Sequence, residues 1–83
     1  MAKHSQLAKT VFCTQFLSVM RHGSVTAMAL CYAYAASDRL FNWNGFNRLM
    51  KEVTELLGVD SPYTRITSPA QLSDDARKLL VCL

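Results

Sequence analysis

Residues 25–36 (VTAMALCYAYAA) constrain the fold more than any other segment, because twelve consecutive positions carry no charge. A surface helix of a small protein has one apolar stripe and one polar face, so a helix that is apolar on every side is expected inside protein or lipid. A helix of this length spans about 18 Å, well short of the roughly 30 Å of bilayer hydrocarbon. Any extension would include His22, Asp38 or Arg39. The sequence therefore predicts a helix buried in protein and no membrane partner.

This central helix is predicted over residues 25–40, with Ser24 as its N-cap. Its alanines would let neighbouring helices approach closely, and its larger side chains would fill the space between them. The residues expected to form this spine, in the core or in a dimer contact, are Met28, Leu30, Tyr32, Ala33 and Tyr34. A strand is the alternative interpretation of the Tyr-Ala-Tyr alternation, but the length of the segment and its alanine content favour a helix.

Two further helices are predicted from apolar positions that recur at helical spacing. The first covers residues 5–21. Its apolar face consists of Ala8, Val11, Phe12, Phe16, Val19 and Met20. The other covers residues 45–57, with Asn44 as its N-cap, and Gly58 followed by Val59 indicates a Schellman ending. Its apolar face consists of Phe46, Leu49, Met50, Val53, Leu56 and Leu57.

The last helix is predicted from Ser68 onward, after a connector over residues 60–67. Ser68 would be its N-cap, Pro69 its first residue, and Gln71 would complete a capping box. Its apolar face consists of Leu72, Ala76, Leu79, Leu80 and Leu83. The chain is therefore expected to form a single domain over residues 1–83, an all-α compact bundle of about four helices around the central one.

The balance of apolar and charged residues bears on the oligomeric state. A chain of 83 residues buries only about 60–65% of the surface that its unfolded form exposes, so its core is small. With 51% hydrophobic and 18% charged residues, the composition is too apolar for a disordered chain and low in charge for a small soluble monomer. We therefore expect a homodimer.

Residues that could carry catalysis or bind a metal are few and dispersed. The cysteines at positions 13, 31 and 82 lie in apolar runs without the C-x-x-C spacing of a zinc site. We interpret Cys13, Cys31 and Cys82 as core residues in a reducing cytoplasm, with a disulfide or a metal site as the alternative. His4 and His22 each lie nine residues from Cys13, so a nucleophile–base pair is not indicated. With no secretory signal in the first residues, the expectation is a cytoplasmic, non-enzymatic protein without a cofactor or metal.

Charge is distributed unevenly along the chain. Up to Lys51 there are six basic residues and one acidic residue, or +5, and from Glu52 onward there are three basic and five acidic residues, or −2. The first half could face an anion. The simpler interpretation is that scattered cations keep a helix soluble, because nucleic-acid sites normally cluster Lys and Arg more densely.

Large aromatic side chains gather in the turn after the central helix. Interfaces are enriched in such residues at their energetic centres, and the candidate partner-binding residues are Phe41, Trp43, Phe46 and Tyr63. A small bundle also uses such a tryptophan to plug the end of its core. The sequence leaves core plug and partner contact open.

Two functions are consistent with these patterns. The first is a non-enzymatic interaction protein that acts on a larger, unidentified protein target as an inhibitor, adaptor or accessory subunit. The second is a small DNA-binding regulator in which the second and third helices form a helix-turn-helix-like pair. Its candidate contacts to nucleic acid or another anion are Arg21, His22, Asn47, Arg48 and Lys51. Glu52 and Glu55 on the same helix would repel phosphate, so the sequence favours the first function.

Overall fold

The computed structural model describes residues 4–81, which fold into four α-helices within a body of 33 × 32 × 24 Å. The helices are α1 (Gln6–Met20), α2 (Ala27–Ser37), α3 (Phe46–Leu57) and α4 (Asp74–Leu80), and two 3-10 turns cover Trp43–Gly45 and Pro69–Gln71. The predicted all-α bundle is therefore confirmed. Cys82, predicted to lie in the core, and Leu83, predicted on the apolar face of the last helix, lie outside the described residues.

Helix α1 forms as its sequence pattern predicts. Ser5 is the N-cap, and its hydroxyl accepts a hydrogen bond from the Ala8 amide at 3.0 Å. The fully buried residues of the helix are Ala8, Val11, Phe12 and Phe16. The amino-terminal end is held to the rest of the bundle, because the Ser5 hydroxyl donates to Glu52 of α3 at 2.8 Å and His4 contacts Asp75 of α4 at 3.1 Å.

Helix α2 is shorter than predicted at both ends. It begins after Thr26, whose hydroxyl accepts from the Ala29 amide at 3.0 Å, and Ser24 is not its cap. The reason is tertiary: the backbone of Val25 exchanges two hydrogen bonds with Ile66, at 2.9 and 2.7 Å, in an isolated antiparallel bridge. A residue paired in this way is extended and cannot begin a helix.

Within one chain the bundle covers only part of this helix, and the expectation that a second copy or a target covers the rest stays a prediction. Its buried residues are Ala27, Leu30, Cys31 and Ala35. Leu30 is thus a core residue, whereas Met28, Ala33 and Tyr34 are half-buried and Tyr32 is 51% exposed. The central helix therefore has one core face and one uncharged face turned to solvent.

Helix α3 keeps its predicted apolar face and its predicted ending. Gly58 adopts a left-handed conformation with φ +79°, and the amide of Val59 donates to the Thr54 carbonyl at 3.4 Å, as a Schellman motif requires. The predicted cap at the other end is wrong. Asn44 lies inside the preceding 3-10 turn, where its amide donates to the Asn42 side chain, so Gly45 occupies the N-cap position, without a side-chain bond.

The predicted last helix is divided in two. The capping box of Ser68 and Gln71 is present, but it closes only the 3-10 turn, and the extended Leu72 separates that turn from α4. Ser73 then caps α4, donates its hydroxyl to the Leu56 carbonyl at 2.6 Å, and donates its amide to the Leu57 carbonyl at 2.9 Å. The end of α3 and the start of α4 are thus joined through one serine.

The thiol of Cys31 is buried in the α2 core face, and burial raises its pKa from 9.0 to about 12. The unfolded thiol ionises near its ordinary pKa of 9.0, so the unfolded state loses this proton first. We expect this contribution to stability to be full below pH 9.0 and to fall as the pH rises towards about 12. Urea unfolding across that range should show a shallower decline for Cys31→Ala than for the natural protein.

The same burial predicts a difference in thiol reactivity. Because the thiolate is the nucleophile, Cys31 should react with iodoacetamide at pH 8 only when the protein unfolds, whereas the half-buried Cys13 should react in the folded state. Peptide mass spectrometry after timed alkylation measures both rates. Equal rates for the two cysteines in the folded protein would contradict the packing of α2.

Candidate functional site

The turn between α2 and α3 is folded tightly onto the bundle. Asp38 organises its first half, since its carboxylate accepts from the Leu40 amide at 3.0 Å and its carbonyl accepts from the Phe41 amide at 3.1 Å. The side chain of Asn42 organises the second half by accepting from the Asn44 amide. These bonds hold the turn in one shape and bring its aromatic rings to the start of α3.

Five aromatic side chains pack against one another at this end of the bundle. We call this set the aromatic patch, and it consists of Tyr32, Tyr34, Phe41, Trp43 and Phe46. Trp43 stacks on Phe46 with ring centroids 5.2 Å apart, and the Tyr32 ring lies 4.7 Å from that of Phe46. Phe41 meets Trp43 edge-on at 5.6 Å and Tyr34 edge-on at 6.2 Å. Three of the predicted partner-binding residues are therefore brought together.

The aromatic patch has a buried base and an open surface. Phe46 is only 8% exposed, whereas Trp43 is 54% and Tyr32 51% exposed. Each such ring pair contributes about 0.5–1.5 kcal/mol beyond its buried area, so the exposed rings are held in place. Phe46 plugs the core, and Trp43 and Tyr32 present apolar area to solvent.

Tyr34 lies at the border of the patch. Burial, together with the neighbouring Asp38 carboxylate, raises the pKa of Tyr34 above its ordinary value of 10.0. The phenol is therefore neutral at physiological pH. Leu40, next to the patch in the sequence, is 92% exposed and extends from the turn into solvent.

Tyr63 does not join the other predicted partner-binding residues. It lies in a turn over residues 61–64, where its amide donates to the Ser61 hydroxyl at 3.1 Å, and its ring is 67% exposed. Within residues 4–81, Tyr63 takes part in none of the ring contacts that define the aromatic patch.

The candidate contacts for nucleic acid lie on two separate elements. Arg21 and His22 are exposed at the carboxyl end of α1, and the others are exposed on α3. Arg48 of α3 forms an ion pair with Glu52 at 3.4 Å. The arrangement places a carboxylate beside a cation that would otherwise meet phosphate.

The remaining two candidates, Asn47 and Lys51, line a groove of about 360 Å³ between α3 and the chain that follows it. Its half-buried apolar lining, here called the floor, includes Met50, Val59 and Pro62, and its exposed charged lining, the rim, consists of Lys51, Glu55 and Asp60. The groove exists because the Schellman turn folds the chain back along α3, and the Pro62 carbonyl is then fixed by the Met28 amide at 3.0 Å. The sequence shows the turn but contains no signal for the groove.

No protein-family model, curated protein or solved structure matches this chain. Among residues 4–81, no helix has both the length and the apolarity needed to cross a membrane. Over the same residues, no three His, Cys, Asp or Glu side chains converge as metal ligands would.

Proposed function

We propose that this protein is a non-enzymatic interaction protein that acts as a homodimer and binds a larger protein through the aromatic patch. The observation that carries the proposal is the half-exposed pair of Trp43 and Tyr32, both packed against the buried Phe46. Exposed apolar patches on small proteins commonly mark interaction sites.

The order of the patch supports this role. Tryptophan and tyrosine are enriched among the residues that contribute most of the binding energy at protein interfaces. Because the rings are already packed against one another, binding a partner would restrict few additional side-chain rotations, which lowers the entropic cost of association. The solvent-facing side of α2 next to the patch is uncharged, as the whole of α2 (Ala27–Ser37) is.

The surroundings of the reactive side chains support a non-enzymatic role. Cys31 is buried and its pKa is raised to about 12, and His4 is engaged by Asp75. Cys13 and Cys31 are free thiols, which is consistent with our proposal of a reducing, cytoplasmic environment.

DNA binding is the less supported function. Glu52 pairs with Arg48, and Glu55 lies with Lys51 on the rim of the groove. Carboxylates so close to the cations of α3 would weaken the counterion release on which DNA affinity depends.

Trp43→Ala should abolish capture of the target protein. Removing a central interface tryptophan costs about 2 kcal/mol or more, equivalent to a roughly 30-fold higher Kd. The test immobilises the natural protein, Trp43→Ala and Tyr63→Ala. It compares the proteins that each one captures from a lysate of the cells in which the natural protein occurs. Tyr63→Ala is the matched control, because it removes an aromatic ring that is 67% exposed and outside the patch.

The expected target is retained by the natural protein and by Tyr63→Ala, and is lost from Trp43→Ala. Isothermal titration calorimetry with the purified target then measures the Kd of the natural protein and of each variant, and it does not depend on the tryptophan that Trp43→Ala removes. A target retained equally by all three proteins would show that the aromatic patch is not the binding site. Circular dichroism of each variant checks that the fold is intact.

A further inference from the structure

We propose that two copies of this chain associate by placing Arg39 and Leu40 of each copy in the groove of the other. This inference rests on the proposed homodimer and assigns its contact. The contact pairs the most exposed large apolar side chain of residues 4–81 with a groove of matching chemistry.

The side chain of Leu40 protrudes from the turn between α2 and α3. It is 92% exposed, and its amide is fixed by the Asp38 carboxylate at 3.0 Å, so the side chain extends from an ordered turn. Arg39 precedes it and is also exposed. The two residues therefore present an apolar group and a cation next to each other.

The groove offers the complementary pair of features. Its floor of Met50, Val59 and Pro62 suits an apolar side chain. Glu55 and Asp60 lie on its rim, and neither takes part in an ion pair within residues 4–81. Both lie near the carboxyl end of α3, where the helix dipole also favours a cation. The two carboxylates outnumber the rim cation Lys51, so the rim is acidic overall, and an arginine beside a leucine matches the groove in charge and in polarity.

The positions along α3 allow both contacts to form at once. The turn with Leu40 precedes the amino end of α3, whereas the groove extends to its carboxyl end, about 18 Å further along the helix axis. In the proposed dimer a two-fold axis perpendicular to α3 sets the two helices antiparallel, which places the turn of each copy at the level of the other copy's groove. Such a contact closes on itself as a dimer, because every residue pair across it occurs twice.

Sedimentation equilibrium of the full chain tests the apolar half of the contact. Leu40→Ala should raise the dimer Kd about 20-fold or more, because truncation of a contact residue costs about fivefold and a symmetric dimer loses the contact twice. Leu17→Ala is the matched control: Leu17 is also an exposed leucine (56%), but it lies on α1. Its dimer should be unchanged. All these positions are exposed, so the variants should fold.

Charge reversal tests the polar half. Two variants are made: one carries Arg39→Glu, and the other carries both Glu55→Lys and Asp60→Lys. Each variant by itself should self-associate more weakly, because like charges then meet. Mixing the two variants should restore dimers, since in the mixed dimer one contact is natural and the other is fully reversed. Failure of the mixture to associate would overturn the inference.

The outcomes separate this inference from the proposed function. A natural protein that stays monomeric at high micromolar concentration overturns both the homodimer and its assigned contact. A dimer that withstands Leu40→Ala and the charge reversals overturns the contact alone. If the same variants leave the dimer intact but lose the captured target, the turn belongs to the target interface and the inference is again overturned.

Discussion

Phe12→Ala will lower the free energy of unfolding by about 3–5 kcal/mol. Phe12 is fully buried on α1, and its ring lies 4.8 Å from that of Phe16. The substitution removes apolar contact and leaves a cavity that the surrounding helices fill only in part. At about 0.05–0.15 kcal/mol per residue, a domain of this size has roughly 4–12 kcal/mol of stability in total, so the loss is a large fraction of it. Urea unfolding followed by circular dichroism measures the change.

Leu17→Ala is the control for this prediction, because Leu17 lies on the same helix but is 56% exposed. It should change the free energy of unfolding by about 0.5 kcal/mol or less. If Phe12→Ala is unfolded without urea, Phe12→Leu gives a smaller loss that can still be measured. Similar losses at Phe12 and Leu17 would show that α1 presents a different face to the core.

The parts of the fold that the sequence predicts are those fixed by local patterns. The buried face of α1 follows from apolar residues at helical spacing, and the end of α3 follows from Gly58 and Val59. In both cases the residues that decide the structure lie close together along the chain, within one helix or at its end. Periodicity and capping are therefore sufficient there.

The parts that the sequence does not predict depend on residues far apart in the chain. Val25 is extended because it pairs with Ile66, and α4 starts only at Asp74 because Ser73 is bound to the end of α3. Helix α2 is a separate case: a helix without charge carries no pattern that says which of its faces is covered. Its composition indicates burial, and within one chain the bundle covers the face that contains Ala27, Leu30, Cys31 and Ala35.

The candidate site was predictable only where its residues are close together in the sequence. Phe41, Trp43 and Phe46 lie within six positions of one another, and their proximity in sequence predicts their contact. Tyr32 joins them only because the turn folds back onto α2. The groove depends on the path of the chain after α3, so its depth and its rim become visible only in three dimensions.

Gly58→Ala should lower the free energy of unfolding by about 2–5 kcal/mol, from two sources. The left-handed conformation at φ +79° costs an L-residue about 1–2 kcal/mol. The added Cβ would also lie 2.8 Å from the Cβ of Ser73 and 3.3 Å from its backbone. Ser73 cannot retreat without loss, because it is bonded to the Leu56 and Leu57 carbonyls. Overpacking of this kind costs about 1–3 kcal/mol.

Two other glycines separate these sources. Gly23 has φ +105° but open space around it, so Gly23→Ala should show the backbone cost alone, about 1–2 kcal/mol. Gly45 has a negative φ and no atom within 4 Å of an added Cβ, so Gly45→Ala should change stability by about 1 kcal/mol or less. Urea unfolding of all three variants should give the order Gly58, Gly23, Gly45. If Gly58→Ala costs no more than the backbone term of about 1–2 kcal/mol, then the added Cβ does not meet Ser73, and Ser73 is not packed against the end of α3.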